Sequence, residues 1–159
     1  MEIILFQPEA YLLKSSLQDI VRNYRADVEG LPEAVKKLWF SDHPAGDEED
    51  YELWLEHLND FRGGNSKLAE RLIGELENIQ NWPAVLSVSC SEADSLLTVV
   101  NDQRLYLAAV HEIGDLEKEM DEDWGKVIQI SHKLALVQIQ FLAGLMELMI
   151  AGLSGLEEL

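Results

Sequence analysis

Two segments of this chain repeat one polar pattern. Leu58-Asn59-Asp60-Phe61-Arg62 and Val100-Asn101-Asp102-Gln103-Arg104 each carry Asn-Asp-x-Arg behind an apolar residue. An amide, a carboxylate and a guanidinium this close can hold an anionic ligand, or can pair across two helices. On a helix, Ala93, Leu96, Val100 and Leu107 share one apolar face. Arg104 and His111 then fall about 40° from its centre, and Asp102 points to the opposite side. Arg62 lies near the stripe of its own helix in the same way. An arginine on an apolar stripe must be paired or must run its head out to solvent. With 30 acidic residues against 12 basic ones, Arg104 is expected to be at least half-buried and held by a carboxylate or by backbone carbonyls. The competing reading makes Asn59, Arg62, Asn101, Arg104 and His111 a polar ligand site. In its sharpest form this is a small-molecule or enzyme site around Asn101, Arg104 and His111.

Other chemistries fail on spacing. His111-Glu112-Ile113-Gly114-Asp115 has the outline of a zinc-binding helix but lacks a second His at the fourth following position. The residues three before the histidines are Phe40, Trp54, Ala108 and Gln129. None is the Glu that a di-iron bundle uses. Gly63-Gly64-Asn65-Ser66-Lys67 lacks the spacing of a phosphate loop. No metal, cofactor or catalytic residue is therefore expected. Cys90 precedes a helix, a position that can activate a thiol. Its alternation with Leu86 and Val88 points instead to buried packing. Trp39, Phe40, Tyr51, Trp54 and Phe61 form an aromatic set that reads as core before it reads as a binding surface.

Composition bounds the partners. A net charge of -18 on 159 residues argues against nucleic-acid phosphates and anionic membranes. At 47% hydrophobic and 26% charged, the chain reads as one folded domain over 1–159. A lone cysteine allows no intrachain disulfide, and the first residues lack the basic region of a signal peptide, so a cytoplasmic protein is expected. Leu134 to Met146 is free of charge but too short to span a bilayer, and it reads as a buried helix.

The elements follow from periodicity. Ile3 to Phe6 and Leu86 to Cys90 read as short strands, each followed by a cap and a helix, a weak internal echo. Helices are expected from Pro8 to Gly30, Pro32 to Phe40 and Asp47 to Arg62, the last with the stripe Tyr51, Trp54, Leu55, Leu58 and Phe61. Gly63-Gly64-Asn65 ends that helix, and Ser66 starts another reaching Ile79. Ser91-Glu92-Ala93-Asp94 caps a helix that ends near Gly114. The acidic stretch Asp115 to Asp123 is a surface helix or a loop. A final helix runs from about Asp123 to Gly152, with its polar residues in one strip: Lys126, Gln129, Lys133, Gln140 and Glu147. The fold expected is mainly α, a single-domain helical bundle around a buried C-terminal helix, with two short β-strands. Leu145, Leu148, Met149, Ile150 and Leu153 cluster at the end of that helix and are expected to form the interface of a two-fold homodimer.

The acidic segment Asp47 to Leu58, and then Val100-Asn101-Asp102-Gln103-Arg104-Leu105-Tyr106-Leu107, resemble the DUF2017 family of uncharacterised bacterial helical proteins. That family has an acidic segment followed by a central helix reading Leu-Asn-Asp-x-Arg-Leu-x-Leu. Ala108 departs from the glycine that commonly follows. The resemblance implies a bacterial protein without an established activity and supplies no catalytic residues. It also implies a place near regulated proteolysis, because some family genes lie beside that of a protease adaptor. The function expected from all of this is a non-catalytic protein-binding or regulatory module with a protein partner.

Overall fold

The structure is a computed structural model that describes residues 1–40, 46–114, 118 and 130–157. Strand β1 spans Glu2–Leu5 and strand β2 spans Ala84–Ser87. Alternation puts Ile3, Leu5, Ala84 and Leu86 inward and leaves Ile4 and Val85 outside. The strands pair antiparallel, with Ile3 opposite Leu86 and Ile4 opposite Val85. The Met1 ammonium donates to the Val88 carbonyl at 2.7 Å, and the Val88 N–H donates back to the Met1 carbonyl at 2.9 Å.

Each strand feeds a helix by the same device. Helix α1 spans Gln7–Arg25, and the Glu9 carboxylate accepts from the Phe6 N–H at 2.8 Å. Helix α4 spans Cys90–Val110, and Glu92 accepts from the Ser89 N–H at 2.8 Å. The Ser89 hydroxyl accepts in turn from the Glu92 N–H, which completes a capping box. The cap is therefore Ser89, not Ser91. Cys90 becomes the first helical residue and is exposed, so its expected place in the core is corrected. The alternation stops at Val88 because helix geometry begins two residues later.

Helix α2 spans Glu33–Trp39, and α3 spans Glu48–Glu77 without interruption. The two helices expected on either side of Gly63-Gly64-Asn65 are one. Neither glycine has positive φ, and both face solvent while Asn65 and Ser66 are buried. Packing of Ala69, Leu72 and Leu76 holds the helix through its weakest point; glycine lowers helix propensity by only about 1 kcal/mol, which tertiary contacts override. No residue of the expected stripe Tyr51, Trp54, Leu55, Leu58 and Phe61 is buried.

Helix α5 spans Ile130–Glu157. Its expected beginning, and the acidic stretch from Asp115, lie outside the described residues. Among the described residues the fold is five helices with a two-stranded antiparallel sheet, a helical bundle as expected. Helix α4 touches α1, α2, α3 and α5. The core gathers Leu13, Leu17 and Ile20 of α1, Leu72 of α3, Leu96 of α4, and Leu136, Leu142 and Met149 of α5.

Candidate functional site

The polar residues collect where four helices meet. Tyr24 of α1 donates a hydrogen bond from its hydroxyl to the Asp102 carboxylate of α4. Arg62 of α3 lies half-buried beside them. Its guanidinium carbon sits 4.8 Å from the centre of the Trp39 ring, 4.9 Å from Phe40 and 5.8 Å from Tyr24. Trp39 in turn packs against Tyr24 and Tyr106. Arg62 makes no ion pair within 4.0 Å among the described residues. Three ring faces hold the cation instead, which desolvated aromatic quadrupoles can do.

The ionisation of this cluster follows from its burial. Burial pushes the Tyr24 phenol far above its ordinary range, and the Asp102 charge pushes it further. Burial also raises Asp102, against the pull of the Tyr24 hydrogen bond and of Arg62. Burial lowers Arg62, while Asp102 and Tyr24 act to keep it charged. A phenol held protonated and a carboxylate already bonded to it make a poor acid–base pair. The arrangement joins α1, α2, α3 and α4 at one polar point.

The five residues singled out from sequence have different partners. Asn59 and Arg62 line one cavity of about 400 Å³ with Tyr24, Arg25, Lys67 and Glu70. Asn101 and Arg104 form a pair of their own, Arg104 Nη2 donating to Asn101 Oδ1 at 3.0 Å. The carboxylate or backbone partner expected for Arg104 is thus replaced by a neutral amide, and its Nε is buried without a partner among the described residues. His111 caps the C-terminal end of α4, with its ring 6.1 Å from that of His132. Burial, and then the charge of His132, lower its pKa. Among the described residues no three His, Cys, Asp or Glu side chains come together as metal ligands. Tyr24 and Asp102 were missed as a pair. Asp102 was placed on the far side of α4 from the core, but α4 is enclosed by helices on more than one side.

A second feature is apolar. One side of α5 packs inward through Ala135, Leu136, Ile139, Leu142, Leu145 and Met149. The other side presents Ile130, Leu134, Val137, Phe141, Gly144 and Leu148, which lie within about 40° of one line along the helix. Ile130, Leu134 and Leu148 are 77%, 57% and 74% exposed. Between this side and β1 runs a cavity of about 550 Å³ lined by Ile4, Val137, Phe141, Gly144 and Leu148. The interface residues expected from sequence divide here. Leu148 and Ile150 are exposed, and Leu153 packs partly against the core. Leu145 and Met149 are buried in their own chain, where they line a cavity with Met1, Ile3 and Ile4 beside β1, so little of either is left for a partner to cover.

Comparison with family models, with curated proteins and with solved structures returns no match. The resemblance to the DUF2017 family is therefore withdrawn: Asn-Asp-x-Arg-Leu-x-Leu is too short a pattern to define a family. The place near regulated proteolysis rested on that resemblance alone and goes with it, and the resemblance no longer supports a bacterial source. Helix α5 is long and apolar enough to cross a bilayer by length and composition, because it extends well beyond the charge-free run Leu134 to Met146.

Proposed function

We propose that this chain is a non-catalytic protein-binding module, and that its contact surface is the outward side of α5. The observation that carries the reading is the apolar line from Ile130 to Leu148, in which Ile130, Leu134 and Leu148 are exposed while Phe141 packs partly against the core. Contiguous apolar surface of this kind is favoured only where something covers it, at roughly 25 cal/mol per Å² removed from water. Asn101 and Arg104 satisfy each other while the His111 ring packs against His132, which supports binding over a shared polar site. An exposed free thiol at Cys90 suits the reducing cytoplasm expected from sequence.

The test is affinity capture from native cells, with the unaltered chain beside the Leu134→Glu/Leu148→Glu double variant. Both positions are exposed, so the variant retains its helical circular dichroism. Proteins recovered by the unaltered chain and lost with the variant support the proposal. Identical recovery by both removes α5 from the reading.

A further inference from the structure

We infer that the cavity between α1 and α3 binds a small phosphate monoester, with Arg62 and Lys67 as the two cations that receive it. The inference is independent of the reading of α5. The cavity takes its lining from Tyr24 and Arg25 of α1 and from the stretch Asn59 to Glu70 of α3.

Charge is the first argument. The chain holds 12 basic residues against 30 acidic ones. Yet Arg25, Arg62 and Lys67 line this one cavity of about 400 Å³, with Glu70 as the acid among them. Glu70 is already paired with Arg25. Arg62 and Lys67 form no ion pair within 4.0 Å among the described residues. Asp102 acts on Arg62 from farther away, but its carboxylate accepts from the Tyr24 hydroxyl and does not line the cavity. Two cations of the lining are therefore left without a lining carboxylate. A monocarboxylate answers one of them. A phosphate monoester, with a charge of about -1.5 to -2 at neutral pH, answers both. The acidic residues elsewhere act weakly here, since repulsion between exposed charges fades beyond ~8 Å in physiological salt.

The donors are the second argument. Trp39 and Phe40 hold the Arg62 guanidinium through their rings, which uses none of its N–H groups. Arg62 makes no hydrogen bond among the described residues, so its N–H fork is free to take two oxygens of one oxyanion. Ser66 lines the same cavity at 7% exposure, and its hydroxyl has no hydrogen-bond partner among the described residues. A phosphate oxygen would satisfy it. On α3, Arg62 and Lys67 stand about 140° apart, and Ser66 and Gly63 fall in the arc between them. A Cβ placed on Gly63 would touch nothing within 4 Å. The floor between the two cations is thus open where any other residue would project into it.

The test is a ¹H–¹⁵N NMR titration with glycerol 3-phosphate at constant ionic strength. Signals of Arg62, Gly63 and Ser66 should move and saturate, with a dissociation constant of about 1 mM or below. Lys67→Gln, at an exposed position, should weaken binding about tenfold or more, and Lys67→Arg should preserve it. Gly63→Leu should abolish binding without lowering the melting temperature, because leucine is the better helix former. A loss of binding there with the fold intact separates blockage from misfolding. The inference is overturned if no signal saturates, or if Lys67→Gln binds as the unaltered chain does. It is also overturned if glycerate binds as tightly as glycerol 3-phosphate, which makes the site a general anion trap. Saturation by a Gly-phosphoserine-Gly peptide without saturation by glycerol 3-phosphate makes the ligand a modified protein and overturns the small-molecule assignment.

Discussion

Tyr24, Asp102 and Arg62 divide the work of one buried charge. The phenol satisfies a carboxylate oxygen, and the guanidinium supplies the opposite charge from its aromatic seat. Tyr24→Phe keeps the ring against Trp39 and removes only the donor. It should cost about 2 kcal/mol in urea unfolding, because Asp102 is left desolvated without its hydrogen bond. Arg104 is a contrasting case. Its partner is the Asn101 amide, so Arg104→Ala strands no carboxylate and should cost about 1 kcal/mol by the same measurement. The residue types of this cluster were legible in the Asn-Asp-x-Arg repeat. Its pairing was not, since a wheel assumes one buried face and α4 is enclosed by four helices.

At the scale of elements, the strands, α1, α2 and α4 could be read from alternation and apolar spacing, although β2 lies at Ala84–Ser87 rather than Leu86 to Cys90 and α1 stops at Arg25, five residues before the expected Gly30. The break expected in α3 did not materialise, since a local glycine preference is weaker than the burial of Asn65, Ser66 and Ala69 around it. The end of α4 shows a local rule broken in the other direction. Ile113 N–H donates to the Ala108 carbonyl and Glu112 N–H to the Ala109 carbonyl, the double closure in which the turning residue is left-handed. That residue is Glu112, at φ 54°, while Gly114 two places on has no positive φ. Glu112→Gly should therefore raise stability by about 1 kcal/mol, seen as a higher melting temperature with unchanged helix content.

Across the whole molecule, surface chemistry sets the response to pH. In the unfolded chain His111 titrates near the ordinary 6.5, and in the folded chain it titrates lower. Between those two values the unfolded chain holds more protons, so stability rises with pH across that window. The contribution is complete above 6.5 and is lost as pH falls toward the folded value. His111→Gln should flatten this part of the curve, measured as urea midpoints from about pH 5 to about pH 7.5. The accessible surface of 9908 Å² exceeds the roughly 8,000 Å² of a compact monomer this size.

Unequal burial along α3 gives one helix two clocks. From Glu48 to Arg62 no residue is buried, and from Asn65 to Leu76 five are. Amide hydrogens in the first half can exchange with solvent by fraying, while those in the second half must wait for the core to open. Mass-spectrometric deuterium uptake should show a step in protection between Arg62 and Asn65, at the glycine pair that does not break the helix. Destabilising the core with Tyr24→Phe should speed the slow half and leave the fast half unchanged. A partner lying along Glu48 to Phe61 would do the reverse, so the two ends of this helix separately report global unfolding and local contact.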